Sequence, residues 1–259
     1  MAITLEGDRP ANYLTRLATS DLGRSFKALI LNELDIQPGA TVLDLGCGPG
    51  ADLSAIAEAV GGTGRVVGVD NDASAVSEAI RAASRLSQVE VTVGDAHSLD
   101  LPTDSVDRVH TDRVLQHVAD PNAVVAEVAR VLRPGGVVGF AEPDWDTLVI
   151  DYPDPAIPVA YRKFITDRVV RNSRIGRQLP AICEANGLVA TRILPVTVAL
   201  RDLAQADKIF GFERVTRRAT EADYLTATQA AEWLEHLRTA PLFVSLSLFP
   251  TFAESMSAA

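Results

Sequence analysis

A doubly wound α/β fold, a mostly parallel sheet with helices on both faces, follows from three features of the sequence. Strand-like and helix-like apolar patterns alternate from residue 41 to residue 143. The first strand enters a helix through the glycine turn "GCGPG". With 259 residues, 47% of them hydrophobic and 22% charged, the chain buries a sizeable core without disulfide or metal support.

Each element has its own signal. Leu14, Leu17, Phe26, Leu29, Ile30 and Leu34 recur at helical spacing across 12–36, with a break near Gly23. "PGA" introduces a strand at 41–45, and a helix over 52–60 stops at "GGTG". "RVVGVD" is a second strand, 73–86 a helix, and 89–95 a third strand. "SVDRVHTD" (105–112), "NAVVAEVARVL" (122–132) and "VVGFAEP" (137–143) continue as strand, helix and strand. Proline and acidic residues mark 144–158 as loop, and 159–171 reads as helix. A short helix closed by Gly187 leads to a long strand at 188–200. Residues 201–240 are mostly helical, and "LFVSLSLFPTFAES" supplies a last strand. The expected divisions are a helical cap at 1–36, a sheet core at 37–143, a lid insertion at 144–180, and the rest of the core at 181–259 with a helical insertion at 201–240.

A formal net charge of −10 offers no electrostatic footprint for a phosphate backbone, so no nucleic-acid partner and no anionic membrane surface is expected. The N-terminus lacks the order of a secretory signal and no apolar run reaches membrane-spanning length, so a cytoplasmic address is expected. Cys47 and Cys183 stand alone, and no His, Asp or Glu spacing suggests a metal site. The oligomeric state is open, a homodimer included.

The turn at Gly46, Gly48 and Gly50 fits the dinucleotide pattern G-x-G-x-x-A, and Asp70, 20 residues past Gly50, is placed to accept ribose hydroxyls. Both features leave a nicotinamide enzyme open. Asp44 discriminates, because a carboxylate at the exit of the first strand repels a pyrophosphate laid over the turn. Unlike charges about 4 Å apart gain roughly 4 kcal/mol at an effective dielectric near 20, and like charges lose as much. The sign favours an amino group or a sulfonium, and S-adenosylmethionine carries both. The plainer reading of Asp44 is a cap for the helix or the turn. Asp95, ending the third strand, is placed to accept from an adenine amino group, and Ala96 leaves room for the ring.

Five segments in order, "VLDLGCGPG", "VVGVD", "VGDAHSLDLPTDSVDRV", "DRVLQHVADP" and "VARVLRPGGVV", resemble the class I S-adenosylmethionine-dependent methyltransferases. The likeness is greatest to the group containing ubiquinone and menaquinone biosynthesis enzymes and small-molecule enzymes of secondary metabolism. It implies a Rossmann-like sheet of seven strands ordered 3-2-1-4-5-7-6, the seventh antiparallel, with helical lid insertions. It also implies Asp44 near the methionine amino group, Gly46, Cys47, Gly48 and Gly50 beneath it, and Asp70 on the ribose. Asn71, Asp95 and Ala96 fall beside adenine, and the backbone near Thr111 beside the methionine portion. Where the family often reads L-H-H-x-x-D, this chain has Gln116 and then His117.

The expected reaction is methyl transfer to a small, partly apolar or aromatic metabolite, with oxygen slightly favoured as the acceptor atom. His117 suits a general base, or else satisfies a loop. Glu142, ending the fifth strand, takes a proton, orients His117, or is structural. Trp145 offers a flat face to an acceptor or wedges the lid. Asp144, Tyr13 and Tyr161 are candidate acceptor contacts. His110, inside the fourth strand, and His236, inside a helix, read as structural. The alternatives are a rearrangement or cyclisation using the same cofactor, and a binding module without turnover.

Overall fold

The structure is a computed structural model that describes residues 21–256, with side chains from Ser25 onward. Its elements, in chain order, are α1 (Asp21–Glu33), β1 (Thr41–Leu45), α2 (Leu53–Val60), β2 (Arg65–Asp70), α3 (Ala73–Ala82), β3 (Val89–Val93), β4 (Val106–Asp112), α4 (Pro121–Val131), β5 (Leu132–Ala141) and β6 (Pro143–Ile150). Then come α5 (Ala156–Phe164), a π-helical turn (Ile165–Val169), α6 (Ile175–Ala185), β7 (Leu188–Ile193), β8 (Val196–Leu200), α7 (Leu203–Phe210), α8 (Phe212–Glu221), α9 (Ala227–Thr239), β9 (Val244–Leu248) and β10 (Thr251–Ser255).

Seven strands form one sheet in the order β3-β2-β1-β4-β5-β10-β7, with β10 antiparallel to both its neighbours. Numbered within that sheet, this is the expected 3-2-1-4-5-7-6. Strand periodicity distributes the core to two faces. Val42 and Val66 cluster with Leu53, Ile56, Ala57 and Val60 of α2 and Ala79 of α3. Their chain neighbours Leu43, Leu45, Val67 and Val69 cluster instead with Val124 and Val128 of α4 and Leu179 of α6. Central strands covered on both faces need an unbroken apolar run, which is why β1 and β2 read "TVLDL" and "RVVGVD". Pro121 opens α4, and the Asp120 carboxylate accepts from the amides of Asn122 and Ala123.

The lid is more ordered than the sequence suggests. β6, β9 and β8 form a second, antiparallel sheet in that order. Together with α5, α7, α8 and α9 it encloses a core of its own, including Trp145, Tyr161, Phe210, Phe212 and Trp233. Residues 144–150, expected as loop, thus belong to a strand. Their acidic side chains pair with Arg174 and Arg177, which leaves Trp145, Leu148 and Ile150 free to face inward. The expected long strand at 188–200 splits between the sheets at Leu194 and Pro195, since proline has no N–H for a ladder. Phe249 and Pro250 divide the expected last strand in the same way. The two sheets meet at these crossings, where the Phe249 amide donates to the Glu142 carbonyl at 2.9 Å and the Leu194 amide to that of Pro250 at 2.9 Å.

Candidate active site

The turn after β1 is held in a conformation that L side chains rarely adopt. Gly46, Gly48 and Gly50 have φ of 74°, 52° and 87°. A Cβ on Gly46 would lie 2.2 Å from a Val114 methyl, so residue 46 must be glycine where the segment after β4 crosses the turn. The amides of Gly46 and Cys47 donate to the Val69 carbonyl at 2.7 and 3.1 Å. Gly48 donates its amide to Asp70 Oδ2 at 2.8 Å, while Asp70 Oδ1 accepts from the Asp72 amide at 2.9 Å. Asp70 therefore ties the turn to the end of β2. Cys47 is buried in the turn; burial, then the charges of Asp44 and Asp70, push its thiol pKa far up, which rules out a thiolate role.

Asp44 does not cap a helix. It lies 2% exposed on β1, and its Oδ1 is 2.8 Å from Nδ1 of His110, its register partner on β4. Its Oδ2 is buried without a hydrogen-bond partner, a state shared among the described residues with Thr111 Oγ1. Unsatisfied buried acceptors are costly and mark where a donor from outside the chain fits. Burial raises the Asp44 pKa, opposed by the bond to His110. For His110, burial acts to lower the pKa, but the bond to Asp44 and the charges of Asp44, Asp52 and Asp112 more than reverse it. His110, read from sequence as structural, is thus in contact with the residue on which the cofactor argument rests. The missed signal is the sheet order: with strands 1 and 4 adjacent, Asp44 and His110 fall side by side.

Further charges ring this pair. Lys27 on α1 bonds to Asp52, just before α2, and lies 3.9 Å from Asp112 at the end of β4. Arg113 forks onto Asp112 at 2.8 and 2.9 Å. Burial raises the Asp112 pKa, but the Arg113 guanidinium outweighs it and the net shift is downward. On the far side of the turn Asn71 is exposed and Ala96 half-buried. Asp95 Oδ1 accepts from the His97 amide at 2.9 Å and lies 2.6 Å from its ring, and these bonds lower the Asp95 pKa.

The acceptor candidates separate clearly. Glu142, fully buried, accepts from the amides of Leu115 at 2.6 Å and Gln116 at 3.3 Å; burial pushes its pKa up to about 8. It holds the turn after β4 and presents no free edge. His117 on that turn is exposed; partial burial and then the charge of Arg113 lower its pKa, so the ring is neutral at neutral pH. Gln116 accepts from Trp145 Nε1 at 2.9 Å, and Asn172 donates to the carbonyls of Leu115 and Val118. Gln116, noted in the sequence only as a departure from the family's histidine, and Asn172, not singled out there, fasten the turn to the lid.

Three proposed acceptor contacts are instead internal to the lid. Trp145 is 5% exposed and packs edge-on to Phe210 at 6.2 Å. Tyr161 is fully buried, donating its hydroxyl to the Phe210 carbonyl at 2.8 Å. Asp144 is fully buried in the fork of Arg177. Their surroundings are apolar or already bonded. Tyr13 lies outside the described residues.

A positive-φ glycine turn beside a buried carboxylate oxygen that lacks a hydrogen-bond partner among the described residues fits a ligand with an ammonium end. The family model described as a methyltransferase domain matches residues 36–182, and the chain belongs to the S-adenosylmethionine-dependent methyltransferases. Over 244 residues it is 46% identical to an uncharacterized 37.1 kDa protein in transposon TN4556 of Streptomyces fradiae, covering 94% of this chain and 71% of that protein. Nocamycin O-methyltransferase of Saccharothrix syringae is 40% identical over 116 residues, 44% of this chain and 41% of its own. The chain thus spans less than half of that relative. Among solved structures, a putative methyltransferase from Bacillus halodurans C-125 superposes with a TM-score of 0.68 at 15% identity, over 90% of this chain and 100% of that one. At that identity the likeness speaks for the fold.

Proposed function

We propose that this chain methylates an oxygen of a small, partly apolar or aromatic metabolite, with His117 as the general base. The observation that carries this reading is His117 itself: an exposed, neutral imidazole on the turn that follows β4, beside the cofactor end of the sheet. Glu142, the other candidate, is occupied by two backbone amides and acts by holding the turn in place.

When bound, S-adenosylmethionine supplies a methyl group activated by the adjoining sulfonium and displaced in line. Asp44 would hold the amino group through its unpartnered oxygen, and the backbone of Gly46 to Gly50 would hold the methionine portion. Asp70 would take the ribose hydroxyls with lone pairs left by its two amide bonds, and Asn71, Asp95 and Ala96 would hold adenine. His117 accepts the hydroxyl proton as the acceptor oxygen attacks. The relative named for O-methylation, nocamycin O-methyltransferase, adds support for oxygen over nitrogen or carbon.

The test is incubation with methyl-labelled S-adenosylmethionine and a panel of apolar alcohols and phenols, with product masses and methyl positions read out. A labelled ether that His117→Gln suppresses supports the reading. Label on carbon or nitrogen, or an ether formed equally by the variant, overturns it.

A further inference from the structure

We propose that His110 is a positioning residue for the cofactor's amino group: bonded to one oxygen of Asp44, it aims the other, and it gives up a proton as the ammonium arrives. This deepens the reading above and rests on it, because it takes Asp44 as the amino-group partner.

The geometry admits few other roles for the pair. Both side chains are almost wholly buried, and the Nδ1 to Oδ1 distance of 2.8 Å fixes the Asp44 carboxylate in one orientation. Oδ1 is engaged by the imidazole, and Oδ2 has no donor among the described residues. The same carboxylate reaches the turn electrostatically, since its charge acts on the Cys47 thiol. A ligand ammonium at that turn and a protonated His110 would share one carboxylate. Two cations on one buried anion repel, and the imidazole is the one that can lose its proton and still donate, as the neutral Nδ1–H tautomer.

The groups facing the pair are Lys27 from α1, Asp52 at the start of α2, Cys47 in the turn, and Asp112 with its partner Arg113 from the end of β4. Asp52 and Asp112 favour the protonated imidazole before the ligand enters, and Lys27 opposes the charge of Asp44 in the same region. Entry of an ammonium therefore shifts the balance toward neutral His110. Affinity for an amino-bearing nucleoside should rise with pH, by at most about tenfold per unit because one proton is displaced.

The experiment is calorimetric titration of the full chain with S-adenosylhomocysteine from about pH 6 to about pH 8.5, in buffers of differing ionisation enthalpy. The parallel titration uses 5′-methylthioadenosine, the same nucleoside without the amino-acid end. We expect proton release and tighter binding at higher pH for S-adenosylhomocysteine, and a flat profile for methylthioadenosine. His110→Asn keeps a donor toward Oδ1 and should bind S-adenosylhomocysteine within roughly threefold of the wild type at high pH, with the pH dependence gone. His110→Phe should lose S-adenosylhomocysteine affinity while retaining methylthioadenosine, which also reports that the fold survives. Coincident pH profiles for the wild type and His110→Asn overturn the proposal. If Asp44→Asn leaves binding of both ligands unchanged, the assignment of Asp44 fails first, and the two failures are told apart.

Discussion

Replacing Glu142 with glutamine should remove a large pH dependence from the stability of the protein. Glu142 is wholly buried, and its pKa is pushed up to about 8 by desolvation, with the nearby Asp112 charge adding to it and three backbone amides opposing. In the unfolded chain the same group titrates near 4.5. The folded state therefore holds a proton that the unfolded state releases between those values. The stabilisation from that proton is complete below pH 4.5 and is lost as pH rises toward 8. At 1.36 kcal/mol per unit the difference approaches about 5 kcal/mol, an order-of-magnitude ceiling. Glutamine preserves an acceptor for the Leu115 amide and turns an amide group toward Gln116, at a pH-independent cost of about 1–3 kcal/mol. Urea midpoints measured across this range should fall with pH more steeply in the wild type than in Glu142→Gln. Parallel curves would refute the reasoning and show Glu142 ionised throughout, held by its amide bonds.

Other outcomes follow from the same geometry. Gly46→Ala places a Cβ against Val114 at a φ of 74°, so it should cost about 2 kcal/mol or more in chemical denaturation and weaken cofactor binding. Adding Val114→Ala should recover the steric part and leave the backbone part. His117→Gln should lower kcat by about a hundredfold or more with little change in cofactor affinity, measured by steady-state kinetics and titration. Because its pKa is lowered, the acid limb of the wild-type profile should fall below the ordinary histidine range. Arg177→Ala strands the buried Asp144 carboxylate and should destabilise the chain by about 3 kcal/mol, the low end for a broken buried pair because Arg177 is half exposed. Lys supplied at 177 should restore only part of it, having no fork.

The sheet was legible because its strands are covered on both faces, and such strands carry their own signature: β1, β2 and β4 lie where apolar runs placed them, while β5 starts earlier, at Leu132. The lid was not, because its second sheet depends on charge pairs between segments far apart in the chain. Nothing in "PDWD" announces that Arg177 will neutralise Asp144 and let Trp145 turn inward. The candidate site divides along the same line. The glycine turn is local chemistry, so Gly46, Gly48 and Gly50 could be read directly as a positive-φ bend. The partner of Asp44 could not, since Asp44 and His110 are 66 residues apart and meet only through the β1 and β4 register. Trp145 and Tyr161 could not be placed for a related reason: a large aromatic looks alike in sequence whether it lines a pocket or fills a core, and both pack in the lid core.

The amino-group assignment is tested most directly by a crystal structure of the chain with S-adenosylhomocysteine. The account predicts the ligand's amino nitrogen about 3 Å from Asp44 Oδ2, the acceptor left unpartnered here, with His110 still on Oδ1. An amino group seated elsewhere, with that oxygen still lacking a donor, would contradict it.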